Sequence, residues 1–135
     1  MKAVVGLSHV TLAVACLDRA LALYRDLLGM RLRARWADGA YLEAGDLWLC
    51  LQRADRPAPA TDGTHLALAV DAAAFAALAP RIEAACPIWK ANRSEGASVY
   101  FEDPDGHRLE LHVGDLDSRL AHYRAHPEKG VILHD

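Results

Sequence analysis

Few covalent cross-links are open to this chain of 135 residues. It has three cysteines, Cys16, Cys50 and Cys86, an odd number without the paired spacing of a metal finger. This argues against a disulfide framework and fits a reducing compartment, the cytoplasm. Positive charge is also short: 15 Lys and Arg stand against 18 Asp and Glu, a net charge of -3. No overall basic field exists to recruit nucleic acid. Long apolar runs are missing too. The opening stretch MKAVVGLSHVTLAVA has one Lys and is broken by Ser8, His9 and Thr11, so it is too short to span a membrane and poor as a secretion signal. Neither nucleic acid nor membrane is expected as a partner.

What is there is an apolar fraction of 53%, enough to give one soluble domain a core at this length. Val4 to Val14 is rich in β-branched residues and reads as a strand. LDRALALYRDLLG then places Leu17, Ala20, Leu21, Tyr24, Leu27 and Leu28 at helical spacing, closed by Gly29. Strands are predicted over Met30 to Trp36, Gly39 to Ala44 and Leu47 to Gln52, divided by Asp-Gly and Gly-Asp turns. After the connector ADRPAPATDG the pattern restarts. Thr64 to Val70 reads as a strand, and Asp71 opens an alanine-rich helix that Pro80 is expected to kink or restart. Ile88 to Lys90, Ser98 to Glu102 and His107 to Val113 follow as strands. DLDSRLAHYRAH is read as a last helix.

The element order βαβββ therefore occurs twice, over about 4–53 and 63–114, with a helix and tail at 115–135. The class is α+β, and the whole is read as one domain. Identity between the halves is slight, so the repeat is one of order and not of motif.

Candidate chemistry sits at matching places in the halves. His9 and His65 lie at or near their halves' first strands, and Glu110 lies in the last strand of the second half. Two imidazoles and one carboxylate suit Mn, Fe or Zn with positions left open for a substrate. In DPDGHRLELH the turn launches a strand on which Glu110 and His112 face the same way. Alternation alone does not rank them. The first half carries Trp48 and Cys50 in the corresponding strand, which favours one metal site and not two. Asn92, Ser94, Gly96 and Ser98 form a turn of carbonyl and hydroxyl oxygens able to surround a hard monovalent cation, although polar loops commonly have this composition. Lys90, Tyr100 and Arg119 flank it, and such donors converging on one point bind a phosphonate-like dianion.

SHVTLAV, YRDLLG, RWADGAYLEAGDLWLCL and WKANRSEGASVYFEDPDGHRLELHVGDLDSRL together resemble the fosfomycin-resistance glutathione transferases, over about Gly6 to Leu120. The resemblance implies a vicinal-oxygen-chelate fold of paired βαβββ modules, assembled as a swapped homodimer. It implies His9, His65 and Glu110 as Mn(II) ligands, with His9 from one subunit and the other two from its partner. It implies a potassium ion at Asn92, Ser94, Gly96 and Ser98, and a phosphonate pocket of Thr11, Lys90, Ser94, Tyr100 and Arg119, lined by Trp48. Tyr41 matches a tyrosine suggested to help ionise the thiol. The implied reaction is opening of the fosfomycin epoxide by glutathione thiolate. Bacillithiol-type relatives typically carry Cys at the place of Thr11, and epoxide hydrolases carry a Glu near Gly39, so Thr11 and Gly39 favour glutathione. Asp38 and Gln52 depart from the Gln and Ser of close relatives beside the glutathione channel. Two other readings keep the fold: an Fe(II) extradiol dioxygenase-like enzyme, which does not need Lys90, Arg119 and a cation loop, and a drug-binding protein of the bleomycin-resistance type, which generally lacks the triad.

Overall fold

A computed structural model describes residues 3–134. Two compact units divide the chain: one holds the residues up to Thr64 together with Glu102–Arg108, the other His65–Phe101 with the residues from Leu109 on.

In the first unit β1 (Val10–Val14), β2 (Arg31–Trp36), β3 (Gly39–Ala44) and β4 (Leu47–Arg53) form a sheet of order β1-β4-β3-β2. β1 and β4 run parallel and the other pairs antiparallel. Leu42, Leu49 and Leu51 are buried, as are Leu17, Ala20, Leu21 and Tyr24 of the following helix. The other face carries Thr11, Tyr41 and Trp48. β1 is shorter than expected, because Val4, Val5 and Leu7 are exposed and lie outside it. Its register explains this: Val10 pairs with Leu49, so β4, which starts at Leu47, runs out of partners two residues upstream.

The helix predicted over 17–29 is α-helical only as α1 (Leu17–Leu21) and then widens into a π-helical stretch, Ala22–Leu27. The Leu28 amide donates to Leu23 O at 2.9 Å. The wider turn shifts the apolar face, so that Leu23 and Tyr24 are both buried.

In the second unit β5 (Leu66–Ala69), β6 (Ile88–Lys90), β7 (Ser98–Glu102) and β8 (Arg108–His112) repeat the arrangement as β5-β8-β7-β6, with β5 and β8 parallel. Leu68, Val99, Phe101, Leu109 and Leu111 form the core with Ala79 and Ile82 of α2 (Ala72–Ala85). α2 runs through Pro80 without restarting. Proline removes one backbone donor there, and alanine-rich turns on both sides, with Ile82 fully buried, keep the segment helical. Asp71 caps it by accepting from the Ala74 amide at 2.7 Å. α3 (Leu116–Ala125) starts with a reciprocal cap between Asp115 and Ser118. Among the described residues no helix is long and apolar enough to cross a membrane.

Pairing in the two sheets corrects one sequence correspondence. Thr11 pairs with Cys50, and Ala67 with Glu110. His9 and His65 each lie two residues before those positions. The counterpart of Glu110 is therefore Cys50, and that of His112 is Gln52.

The turn DPDG is held by Asp103, whose side chain is 3% exposed. Its Oδ1 accepts from the amides of Asp105 at 2.9 Å and His107 at 2.8 Å, and Oδ2 accepts from the Tyr24 hydroxyl at 2.7 Å. Gly106, with φ 89°, completes the turn in the left-handed region. Removing this carboxylate strips three donors of their acceptor. Asp103→Ala should cost roughly 2–4 kcal/mol in urea denaturation, and Tyr24→Phe about 1 kcal/mol. Losses below about 0.5 kcal/mol for Asp103→Ala would show that the turn closes without it.

Candidate metal and anion site

Strand alternation puts Glu110 and His112 opposite the core face of β8, where Leu109 and Leu111 are buried. On β5 the same face holds Ala67 and Ala69, partners of Glu110 and His112, so nothing bulky covers the carboxylate from that side. His65, two residues before Ala67, continues the face. Its Nε2 lies 3.0 Å from Glu110 Oε1. Glu110 is 6% exposed, and its other oxygen, Oε2, accepts from the Ser98 hydroxyl at 2.6 Å. A nitrogen and an oxygen donor thus converge, one carboxylate oxygen being occupied by a hydroxyl and the other turned toward the imidazole. This donor set fits a divalent metal of the Mn, Fe or Zn type.

His65 also borders an aromatic group. Its ring centroid is 5.4 Å from Trp89 and 5.9 Å from Tyr100, and Trp89 Nε1 donates to Leu109 O at 3.0 Å. Lys90 Nζ stands 5.1 Å from the Tyr100 ring centroid, and the Tyr100 hydroxyl is 3.5 Å from Ser94 Oγ. Lys90, Ser94 and Tyr100, predicted together, are brought together beside His65. Arg119, on α3, is tied to the same loop by Glu95: Nε donates to Oε2 at 3.0 Å and an Nη to the Glu95 carbonyl at 3.4 Å. This hydrogen bond raises the guanidinium pKa above its ordinary value. Two of its five N–H donors go to Glu95, and Tyr123 lies close enough to add to the same shift.

Within the loop, Asn92 Oδ1 accepts from Ser94 N at 3.1 Å and Ser94 Oγ at 2.9 Å, while its Nδ2 donates to Gly96 O at 2.9 Å. The loop is closed on itself by one asparagine. Ser98 turns toward Glu110 and His112.

The first unit holds the other predicted residues. His9 stacks on Trp48, with centroids 4.5 Å apart, and its Nδ1 lies 3.0 Å from Ser8 Oγ, which leaves Nε2 for a ligand bond. Trp48 meets Tyr41 edge-on at 5.2 Å, and Tyr41 meets Trp36 at 4.8 Å. Thr11 is exposed on β1. A pocket of about 330 Å³ opens beside Tyr41, Trp48, Arg33, Glu43 and Asp46. At Gly39 an added Cβ would lie 2.4 Å from the Trp36 indole and 2.9 Å from Leu51 O, so the backbone there is closed to a side chain.

Of the predicted triad, His65 and Glu110 are together in the second unit and His9 belongs to the first. Among the described residues no group of three or more His, Cys, Asp or Glu side chains gathers to hold a metal. Sequence reasoning missed Glu95, Trp89 and the second hydrogen bond of Ser98. A charge between Ser94 and Gly96 was the one available signal for Glu95, and no spacing rule linked it to Arg119.

Residues 6–111 match the Glyoxalase/Bleomycin resistance protein/Dioxygenase superfamily. The chain is 50% identical to the glutathione transferase FosA of Serratia marcescens, over 95% of this chain and 94% of that protein. It is 34% identical to the metallothiol transferase FosB of Shouchella clausii, over 87% and 86%. Among solved structures, the fosfomycin resistance protein FosX of Listeria monocytogenes, complexed with Mn(II) and sulfate, superposes with a TM-score of 0.71 at 27% identity, covering 89% of this chain and 98% of that one. With the paired four-stranded sheets, these matches place the chain in the glyoxalase/bleomycin resistance/dioxygenase superfamily and, within it, among the fosfomycin-resistance glutathione transferases.

Proposed function

We propose that this protein is a metal-dependent glutathione transferase that inactivates fosfomycin by thiolate opening of its epoxide ring. The observation that carries the reading is the convergence of His65 Nε2 and buried Glu110 Oε1, with Lys90, Ser94 and Tyr100 alongside, in a chain half identical to a glutathione transferase. His65 and Glu110 would hold the metal, Mn(II), together with His9. Bound there, it supplies a Lewis acid for the epoxide oxygen.

The rest is work for the protein's own side chains. Lys90, Arg119, Ser94, Tyr100 and Thr11 hold the phosphonate by charge and hydrogen bonds, and Trp48 walls the cavity. Asn92, Ser94, Gly96 and Ser98 would supply oxygens to a potassium ion, which would offset part of the dianion's charge. Tyr41 hydrogen-bonds the glutathione sulfur and favours its thiolate. Holding sulfur and epoxide carbon in line reduces the entropic cost of attack. The C–S bond forms as the C–O bond breaks, and the released oxygen takes a proton from water.

A homodimer completes the site, with His9 of one subunit facing His65 and Glu110 of the other. The exposed aromatic face of the first sheet supports this assembly. The absence of a paired cysteine framework supports a cytoplasmic location.

Incubation with fosfomycin and glutathione should give the thiol adduct by mass spectrometry only when Mn(II) is supplied, and Glu110→Ala should lower turnover at least about a thousandfold. An adduct formed equally well without metal would overturn the reading. Replacing K⁺ by Na⁺ should raise KM for fosfomycin more than it lowers kcat; indifference would remove the cation from the loop.

Mixing inactive His9→Ala and Glu110→Ala proteins under conditions of subunit exchange gives a direct test of the shared site. Random reassortment makes half the dimers mixed, each with one intact site of two, so activity should return to about a quarter of the parent's. No recovery despite exchange would mean that each subunit builds its own site.

A further inference from the structure

Ser98 Oγ lies 2.6 Å from Glu110 Oε2 and 2.6 Å from His112 Nδ1. A hydroxyl has one proton to give. A carboxylate only accepts, so that proton goes to Glu110, and Ser98 takes its second hydrogen bond from an N–H at His112 Nδ1. The two short hydrogen bonds of this relay run in one direction, His112 Nδ1–H to Ser98 Oγ–H to Glu110 Oε2, and His112 Nδ1 also stands 3.4 Å from Oε2 itself. The relay's far end is held by backbone. A Cβ at Gly96 would come within 2.9 Å of His112 Cε1, and one at Gly114 within 3.0 Å of Nε2. The loop and the exit of β8 therefore close on the imidazole edge, and the Val113 amide joins them by donating to Ala97 O at 2.9 Å.

We propose that Ser98 and His112 are positioning residues that hold the Glu110 carboxylate with Oε2 occupied and Oε1 presented to a divalent metal; the inference rests on Glu110 being a ligand. Without the relay the carboxylate is free to rotate, and the metal must pay the entropy of fixing it. The same relay also ties the loop that carries Ser94 and Glu95 to the ligand strand.

Mn(II) binding to metal-free protein tests this, with the free ion followed by electron paramagnetic resonance in potassium-free buffer. Ser98→Ala and His112→Leu should each weaken binding about ten- to hundredfold. Because His112 reaches the carboxylate chiefly through Ser98, the losses should be less than additive: the double variant should fall below Ser98→Ala by less than the loss that His112→Leu shows alone. His112→Asn, whose amide N–H reaches the same hydroxyl, should recover most of the loss. Because Asn and Leu both remove the ring, this rescue separates hydrogen bonding from packing. Parent-like binding by Ser98→Ala, fully additive losses, or an Asn variant as weak as Leu would overturn the relay. Glu110→Ala is the control: loss of binding there beside parent-like Ser98→Ala refutes the relay alone, whereas parent-like binding by Glu110→Ala refutes the ligand assignment and the relay with it.

Discussion

The carboxylate of Asp103 takes the amides of Asp105 and His107 and the hydroxyl of Tyr24, and the place of every side chain on β8 follows from that closure. The turn is fastened twice more, by the Ala15 amide donating to Asp105 Oδ1 at 3.0 Å and by the His107 imidazole against Ala13 O at 2.6 Å. A strand entering one residue early or late would exchange its two faces. Leu109 and Leu111 would then lose the core, and Glu110 and His112 would be buried among apolar side chains. A turn closed on the buried Asp103 carboxylate is thus what decides which side of the sheet is chemical.

The two sheets answer the same architectural plan with different side chains. In the first, an exposed row of Trp36, Tyr41, Trp48 and His9 offers flat apolar surface. The second keeps that face small around the carboxylate, with Ala67, Ala69 and Ser98, and sets its cations at the edge. Lys90 rests over Tyr100, and Arg119 is neutralised in part by Glu95. That pairing keeps a guanidinium near the loop without leaving its charge uncompensated when no anion is bound.

Much of this was legible in the residues. β3, β6 and β7 begin and end where alternation and turn chemistry put them, because Gly, Asp and short polar residues bound them on both sides. β1 was overread: β-branched residues mark a capacity for strand, and the length of β4 decides how much of it is used. The π-helical turn left no trace in periodicity, since Leu23 reads as exposed at a period of 3.6. Register likewise escaped inspection, which is why Cys50, not Trp48, proved to be the counterpart of Glu110. Residue types at the site were visible, but their partners were not. Ser98 with two hydrogen bonds and Glu95 with Arg119 depend on loop conformation, which no spacing rule encodes.

The crowding at Gly39 bears on how such an enzyme can change over time. Any β-carbon built at this position meets the Trp36 indole at 2.4 Å and a backbone carbonyl at 2.9 Å. The indole can swing aside only if its packing on Tyr41 is given up; the carbonyl of Leu51 belongs to the sheet and can shift only with β4. Any side chain at 39 therefore draws its neighbours with it, at a cost to the aromatic row and to the pairing of β3 with β4.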